Sequence, residues 1–593
     1  MKLKVNKNCL WAETFVNSLA SLGLRYACVS PGSRNTPLNF AFAKNKKIKT
    51  FVHIDERSSG FFALGVARAL NQPVALVCTS GTATAEFYPA IIEAYKQRTP
   101  LIVCTADRPP ELLNLGANQT IYQENIYKNH IRYFADAGLP VLKKENIKAL
   151  SELAFNAFRK SSFEDAGPVH VNFPFNKPLE PKAFTDEIDE SVAELASPNL
   201  GYKLCSIFNK EPEKELWFKE ILVGLEAVEK GIIVVGPGSF TPDFYKNCAQ
   251  LSELLGYPIL ADAVSGFRFG SHSKKNVITN FDAMLRSNVF TASHLPRFII
   301  HFGRTVTSKY LEEFLAKCTA PRYMVNEYGD WFDPSDVSLG SYECLPEVFC
   351  GKMFDQLKSI GLEKRKNNWL GEFISPEKTA FSIKQKTLNT SGFPSEGRLI
   401  NELLNIIPSG SNIMISNSMP IRDFDNFASI SGKKLNLFHN RGASGIDGII
   451  STALGIAAST KKTTFLLTGD LAFYYDLTSL ATAVKYKIPL VIILVNNNGG
   501  GIFEILPVSQ YGSVFREYFL ASHNLSFCPL VKAFGGNYYK IGSWNGFKSG
   551  VNKALEQKNF SVLEIKTEAK SSLEKRKAYW KGVSEALENN DLR

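Results

Sequence analysis

Short apolar runs alternate with amphipathic stretches through the first third of the chain. RYACV (25–29), KTFVHI (49–54), PVALVC (73–78) and PLIVCT (100–105) are too short for helices and rich in β-branched residues, so they predict strands. Between them SSGFFALGVARAL and TATAEFYPAIIEAYKQ carry a helical period, and GPVHVNFP, ending at Pro174, closes the unit. Strands alternating with helices in this way predict a parallel sheet with crossover helices.

The pattern returns more weakly after a charged, proline-containing connection, NKPLEPKAFTDEIDE, with strands at GIIVVGPGS, YPILADA, RFIIHFG and RYMVNEYG. A polar stretch from Lys364 to Glu396 then separates a third set: NIMISNS, TTFLLTGD, PLVIILVNN and FSVLEIK. The expected fold class is α/β, with three doubly wound parallel-sheet domains at 1–185, 186–375 and 376–593, each of ordinary domain size.

Composition adds mainly exclusions. With 593 residues, 45% hydrophobic and 21% charged, the chain reads as a globular protein too long for a single core. No apolar run approaches the roughly 20 residues of a membrane span, and the amino-terminal stretch lacks the continuous apolar segment of a signal peptide. The ten cysteines are scattered, without CxxC pairs, which fits a reduced, cytoplasmic protein without a disulfide framework or zinc site. A net charge of +11 is spread along the chain rather than gathered into a stripe, so anionic small molecules fit it better than nucleic acid.

The stretch LVIILVNNNGGGIF, Leu490–Phe503, opens as a buried strand and stops at three asparagines and three glycines. A tight strand-to-helix turn would use the same residues. Upstream, however, TTFLLTGD places Gly469 and Asp470 at the end of the preceding strand, so Asp470 and Asn497 end two adjacent strands at one edge. A carboxylate, an amide oxygen and the carbonyl of Gly499 supply three oxygen ligands and leave positions for phosphate and water, as magnesium or manganese prefers. This Gly-Asp to Asn-Asn spacing resembles the thiamine-diphosphate-dependent enzymes, with Leu471 where many members have a further glycine.

That resemblance implies a glutamate against the aminopyrimidine of thiamine diphosphate. Glu56, in KTFVHIDERSSG, follows a strand and opens a small-residue helix; its alternative role is to complement the helix N-terminus. The resemblance also implies active sites between two subunits of a homodimer or dimer of dimers. VSPGSRNTPL, TADRPPELLNLGANQTI, SNSMPIRDFD and NRGASGIDGIISTALGIA together resemble, more narrowly, the 2-succinyl-5-enolpyruvyl-6-hydroxy-3-cyclohexene-1-carboxylate synthase family. Such an enzyme is a transferase of menaquinone biosynthesis that decarboxylates 2-oxoglutarate and adds the succinic semialdehyde unit to isochorismate.

Both substrates are dicarboxylates, and arginine meets a carboxylate with two parallel hydrogen bonds. The matched motifs supply Arg34, Arg108, Arg422 and Arg441, the last also counted toward the cofactor, with hydroxyls from Ser33 and Ser418. By resemblance Asn118 and Gln119 lie near the reacting intermediate, and Ile446 supports the cofactor between its rings. The same resemblance implies that Ile502, Phe503 and Leu506 form an apolar wall over the substrate, although core packing explains Leu506 equally well. Lys309 is a weaker substrate contact, because Tyr310 follows it where some relatives carry a second basic residue. The lone GPGS turn at 236–239 leaves the middle domain structural, without a flavin or nicotinamide, and neither His53 nor His439 stands out as an acid or base. A 2-oxoacid decarboxylase or acetohydroxyacid-synthase-like carboligase would share the cofactor motif but have less use for four arginines. A non-catalytic nucleotide-binding protein would leave Glu56, Asp470 and Asn497 unexplained.

Overall fold

The computed structural model describes residues 2–196 and 211–590. Each predicted unit contains a six-stranded, wholly parallel sheet. Across the first sheet the strands are Lys49–Val52, Tyr26–Val29, Val74–Cys78, Leu101–Asp107, Pro168–Pro174 and Tyr133–Asp136. The third sheet repeats that order with Asn436–His439, Asn412–Ile415, Thr464–Gly469, Val491–Asn496, Ser561–Lys566 and Asn537–Lys540, so both read 2-1-3-4-6-5 in their own chain order. The middle sheet reads 3-2-1-4-5-6, from Val277–Ile278 at one edge to Gly340–Glu343 at the other.

The continuous apolar runs became interior strands: Val74–Cys78, Leu101–Asp107 and Gly231–Val235 are buried along their whole length, as strands covered by helices on both faces must be. The strands without a sequence signal, at 133–136, 277–278, 340–343, 436–439 and 537–540, all lie at sheet edges. Lys2–Val5 also forms an unexpected strand, paired antiparallel with Asp186–Asp189 from the charged connection. The polar stretch before the third unit is not an open linker, since Trp369–Thr390 is a helix whose Trp369, Phe373, Ala380 and Leu388 are buried.

The first and third units are joined by two crossing helices, Glu56–Leu70 and Ile449–Thr460. A Cβ on Gly65 would lie 2.1 Å from the Thr452 carbonyl oxygen, and one on Gly455 would lie 2.1 Å from that of Phe62. Only glycine lets the two backbones approach so closely. One apolar cluster runs through the joint, including Phe61, Leu76, Ile450, Leu466 and Ile492. The middle and third units share a buried ion pair, Arg268 Nη2 to Asp425 Oδ1 at 2.7 Å. Among the described residues no helix is long and apolar enough to cross a membrane.

Candidate active site

Parallel sheets leave a crevice beyond the carboxyl ends of their strands where the strand order reverses. In the third sheet that point lies between Asn412–Ile415 and Thr464–Gly469, and a cavity of about 330 Å³ opens there. Its lining residues all fall between Glu396 and Phe503. They include Ser418, Arg422, Arg441, Ile446, Gly469, Asp470, Asn497, Gly499, Ile502 and Phe503, so these expected site residues share one cavity. Leu506 is outside it and largely exposed.

Asp470 is 2% exposed. Its Oδ2 accepts from the Gly499 N–H at 3.0 Å and lies 3.2 Å from His523 Nε2, a neighbour with no local sequence signal. Burial raises its carboxyl above the ordinary range, and these hydrogen bonds oppose the rise. The Asn497 Oδ1, beyond the adjacent strand, is buried with no hydrogen-bond partner. So are Ser416 Oγ and Asn417 Oδ1, behind the same cavity. Buried polar atoms without partners are costly; a hard cation would satisfy the Asn497 amide oxygen, and a phosphate oxygen could accept from the Ser416 hydroxyl. Among the described residues no group of three His, Cys, Asp or Glu side chains could hold a metal, so a cation here relies on amide and main-chain oxygens beside Asp470.

Arg422 donates to the Ser418 carbonyl at 2.7 Å, across a Ser418 backbone with φ of 70°. Burial and the nearby Arg441 guanidinium hold Arg422 below its ordinary pKa. Two cations that disfavour each other in one cavity call for an anion between them.

The amino-terminal candidates gather at the carboxyl edge of the first sheet. Arg34 is buried, donates to the Phe175 carbonyl at 2.6 Å and leaves its Nε without a partner. Burial and the charge of Arg108 lower its pKa, and the Asp107 carboxylate opposes them. Arg108 donates to Ser80 Oγ at 2.7 Å and to the Asn118 carbonyl at 2.9 Å; Gln119 Nε2 donates to the Ser80 carbonyl at 2.9 Å. Ser33 lies in the turn between Tyr26–Val29 and the next helix, where its carbonyl accepts from Thr36 N–H.

Glu56 begins its helix, but Asp55 is the capping residue, accepting from Ser58 N–H at 3.1 Å. The Glu56 carboxyl is raised by burial and by the negative charges of Asp55 and Glu86. Within one chain Glu56 does not line the cavity at Asp470. Its neighbours bond to the segment that follows Asp470: Arg57 donates to the carbonyl of Tyr475, the last residue of the helix Asp470–Tyr475, and Thr478 donates to Asp55. Lys309 opens a helix of the middle unit, exposed, with its Nζ 3.1 Å from Glu313.

The chain matches three family models: "Thiamine pyrophosphate enzyme, N-terminal TPP binding domain" over residues 11–128, "Middle domain of thiamine pyrophosphate" over 213–415, and "Thiamine pyrophosphate enzyme, C-terminal TPP binding domain" over 428–565. It is 35% identical to the 2-succinyl-5-enolpyruvyl-6-hydroxy-3-cyclohexene-1-carboxylate synthase of Bacillus cytotoxicus, over 95% of each chain. Proteins with the same name from Geobacillus kaustophilus and Haloarcula marismortui are also 35% identical, over 98% of both chains in the first case and over 98% of this chain and 99% of the relative in the second.

Proposed function

Because the chain belongs to the 2-succinyl-5-enolpyruvyl-6-hydroxy-3-cyclohexene-1-carboxylate synthase family of thiamine pyrophosphate enzymes, we propose that it decarboxylates 2-oxoglutarate and adds the succinic semialdehyde unit to isochorismate. CO2 is released, and the product serves menaquinone biosynthesis. The observation that carries the substrate assignment is the set of arginines gathered at two sheets with the same strand order, Arg34 and Arg108 at the first and Arg422, beside Arg441, in the cavity at the third. With Arg441 lining the cofactor pocket, Arg34, Arg108 and Arg422 remain for substrate carboxylates; a monocarboxylate would leave most of that charge unmatched, whereas two dicarboxylates use it.

Thiamine diphosphate, when bound, supplies the nucleophilic carbon and the electron sink that 2-oxoacid decarboxylation requires. Asp470, Asn497 and the Gly499 carbonyl would hold the magnesium or manganese that anchors its diphosphate. Gly469, Arg441 and Ile446 would line the rest of that pocket. Glu56 would hold a proton at the aminopyrimidine, a task suited to a carboxyl whose pKa burial has raised. Asn118 and Gln119 would orient the reacting carbon. Ser33, Arg34, Arg108, Ser418, Arg422 and Lys309 would bind substrate carboxylates and hydroxyls, and Ile502 and Phe503, which line the cavity, would exclude water.

Glu56 does not line the Asp470 cavity of its own chain, which supports a homodimer, or a dimer of dimers, in which each cavity faces the Glu56 of a second copy. Coexpression of Glu56→Gln with Asp470→Ala tests this. Each variant alone is expected to be inactive, while random pairing gives half heterodimers with one intact site, about a quarter of wild-type activity. No recovery in isolated heterodimers would place each site within a single chain. Turnover of pyruvate faster than 2-oxoglutarate by the wild-type enzyme would overturn the substrate assignment.

A further inference from the structure

Arg441 sits on the loop between the Asn436–His439 strand and the Ile449–Thr460 helix, and an irregular loop needs something to hold it. Part of the support is local, since Asn417 Nδ2 donates to the carbonyls of Asn440 and Gly445 at 2.6 and 2.7 Å. The rest comes from the first unit. Glu93, on the helix Tyr88–Lys96, is 2% exposed, and its two carboxylate oxygens accept from the Gly442 N–H at 2.8 Å and the Ala443 N–H at 2.6 Å.

Neighbouring side chains reinforce this contact. Gln97 Nε2 donates to Glu93 Oε1 and, at 3.1 Å, to the His439 carbonyl, which also accepts from Arg68. A Cβ on Gly442 would come within 2.9 Å of Lys96 Cβ and Gln97 Cγ and 3.0 Å of the Glu93 carbonyl, so the loop lies flat on the helix. The side chain between these two anchors, Arg441, lines the Asp470 cavity.

We propose that Glu93 is a positioning residue: its carboxylate clamps residues 442–443 and thereby fixes the direction in which Arg441 enters the active site. This rests on the proposed role of Arg441 and extends it, because the clamp comes from the unit that carries Glu56 rather than from the unit that carries the cavity. Glu93 is buried while Gly442 is half-buried and Ala443 exposed, so removing the carboxylate hands both main-chain donors to water and releases the loop from the helix. The direction of Arg441 is then no longer fixed.

The test is a double-mutant cycle. Steady-state kcat and KM for 2-oxoglutarate are measured for Glu93→Ala and Glu93→Gln, each in the wild-type and the Arg441→Ala background. Glu93→Ala is expected to lower kcat/KM by about tenfold or more in the wild-type background. Glu93→Gln, which keeps the shape and one acceptor, should fall between, and neither change should cost anything further once Arg441 is gone. If Glu93→Ala does not fold, the Glu93→Gln pair carries the cycle. Equal losses in both backgrounds would make Glu93 a structural residue only, and no loss in either would remove the clamp; both overturn the proposal. An Arg441→Ala enzyme with wild-type kinetics would overturn it too, by removing Arg441 from the site. Wild-type enzyme that turns over no 2-oxoglutarate would instead mark the failure of the substrate assignment. In that case amide exchange decides: unchanged protection at Gly442 and Ala443 in Glu93→Gln overturns the clamp, and faster exchange there supports it.

Discussion

Gly65→Ala separates helix propensity from helix packing. At an unconstrained helical position the change stabilises by about 1 kcal/mol. Here the new Cβ would lie 2.1 Å from the Thr452 carbonyl oxygen, and since ordinary contact begins near 3.4 Å the helices must part by about 1.3 Å. The obstacle is backbone, and the reciprocal approach of Gly455 to the Phe62 carbonyl leaves no side chain to swing aside. Overpacking of this kind costs about 1–3 kcal/mol, with a backbone obstacle toward the upper end, so a net loss of about 1–2 kcal/mol is expected once the propensity gain is set against it. The thermal midpoint of these domains should fall by roughly 2–4 °C per kcal/mol. Glu56 is the first residue of the same helix, so kcat should fall as well; displacements of about 1 Å at a catalytic group can cost up to a hundredfold. Melting followed by circular dichroism, with kcat at saturating substrate, checks both effects. A Gly65→Ala enzyme that melts higher and keeps full kcat would refute the account of this joint.

Glu56→Gln should abolish turnover while leaving the circular dichroism spectrum and melting unchanged, and full activity in that variant would remove Glu56 from the mechanism. Asn497→Leu removes a buried acceptor that has no partner, so the apoprotein should melt at the same temperature or higher. The same variant should lose the stabilisation by magnesium and thiamine diphosphate, about 2.7 kcal/mol at a hundredfold excess over Kd for the wild type; an undiminished cofactor-induced shift would remove Asn497 from the site. His53, His170 and His301 are buried, and burial lowers each from 6.5 to about 3. Unfolding lets them bind protons that the folded state refuses, so their contribution is intact above about pH 6.5 and is lost as pH falls toward 3. A melting temperature that stays flat from pH 6.5 to pH 4 would contradict their burial in the neutral form.

What the sequence made legible depended on where each element lies. Val74–Cys78 and Val491–Asn496 are buried on both faces and announce themselves as apolar runs. Tyr133–Asp136 and Asn537–Lys540 are half-exposed edge strands whose pairing is set by the neighbouring strand, so no local pattern marks them. The same division holds at the site. Asp470, Asn497, Arg108 and Arg441 sit just past strand ends, where chemistry and punctuation coincide in a few residues, while Arg34 and Arg422 lie in the turn and helix that follow such ends. Glu93 stands 349 residues from the Gly442 it supports, inside what reads as an ordinary amphipathic helix. Arg576, far along the chain, binds Asp423 and Glu396 beneath the cavity. Such contacts exist only once the helices have packed.

The central claim is that one active site joins 2-oxoglutarate to isochorismate. The most direct measurement is the loss of isochorismate absorbance when purified protein is mixed with thiamine diphosphate, magnesium and 2-oxoglutarate, with each component omitted in turn. The account predicts loss that requires all of them, with one CO2 released for each isochorismate consumed. Unchanged isochorismate, with CO2 still released from another 2-oxoacid, would contradict it.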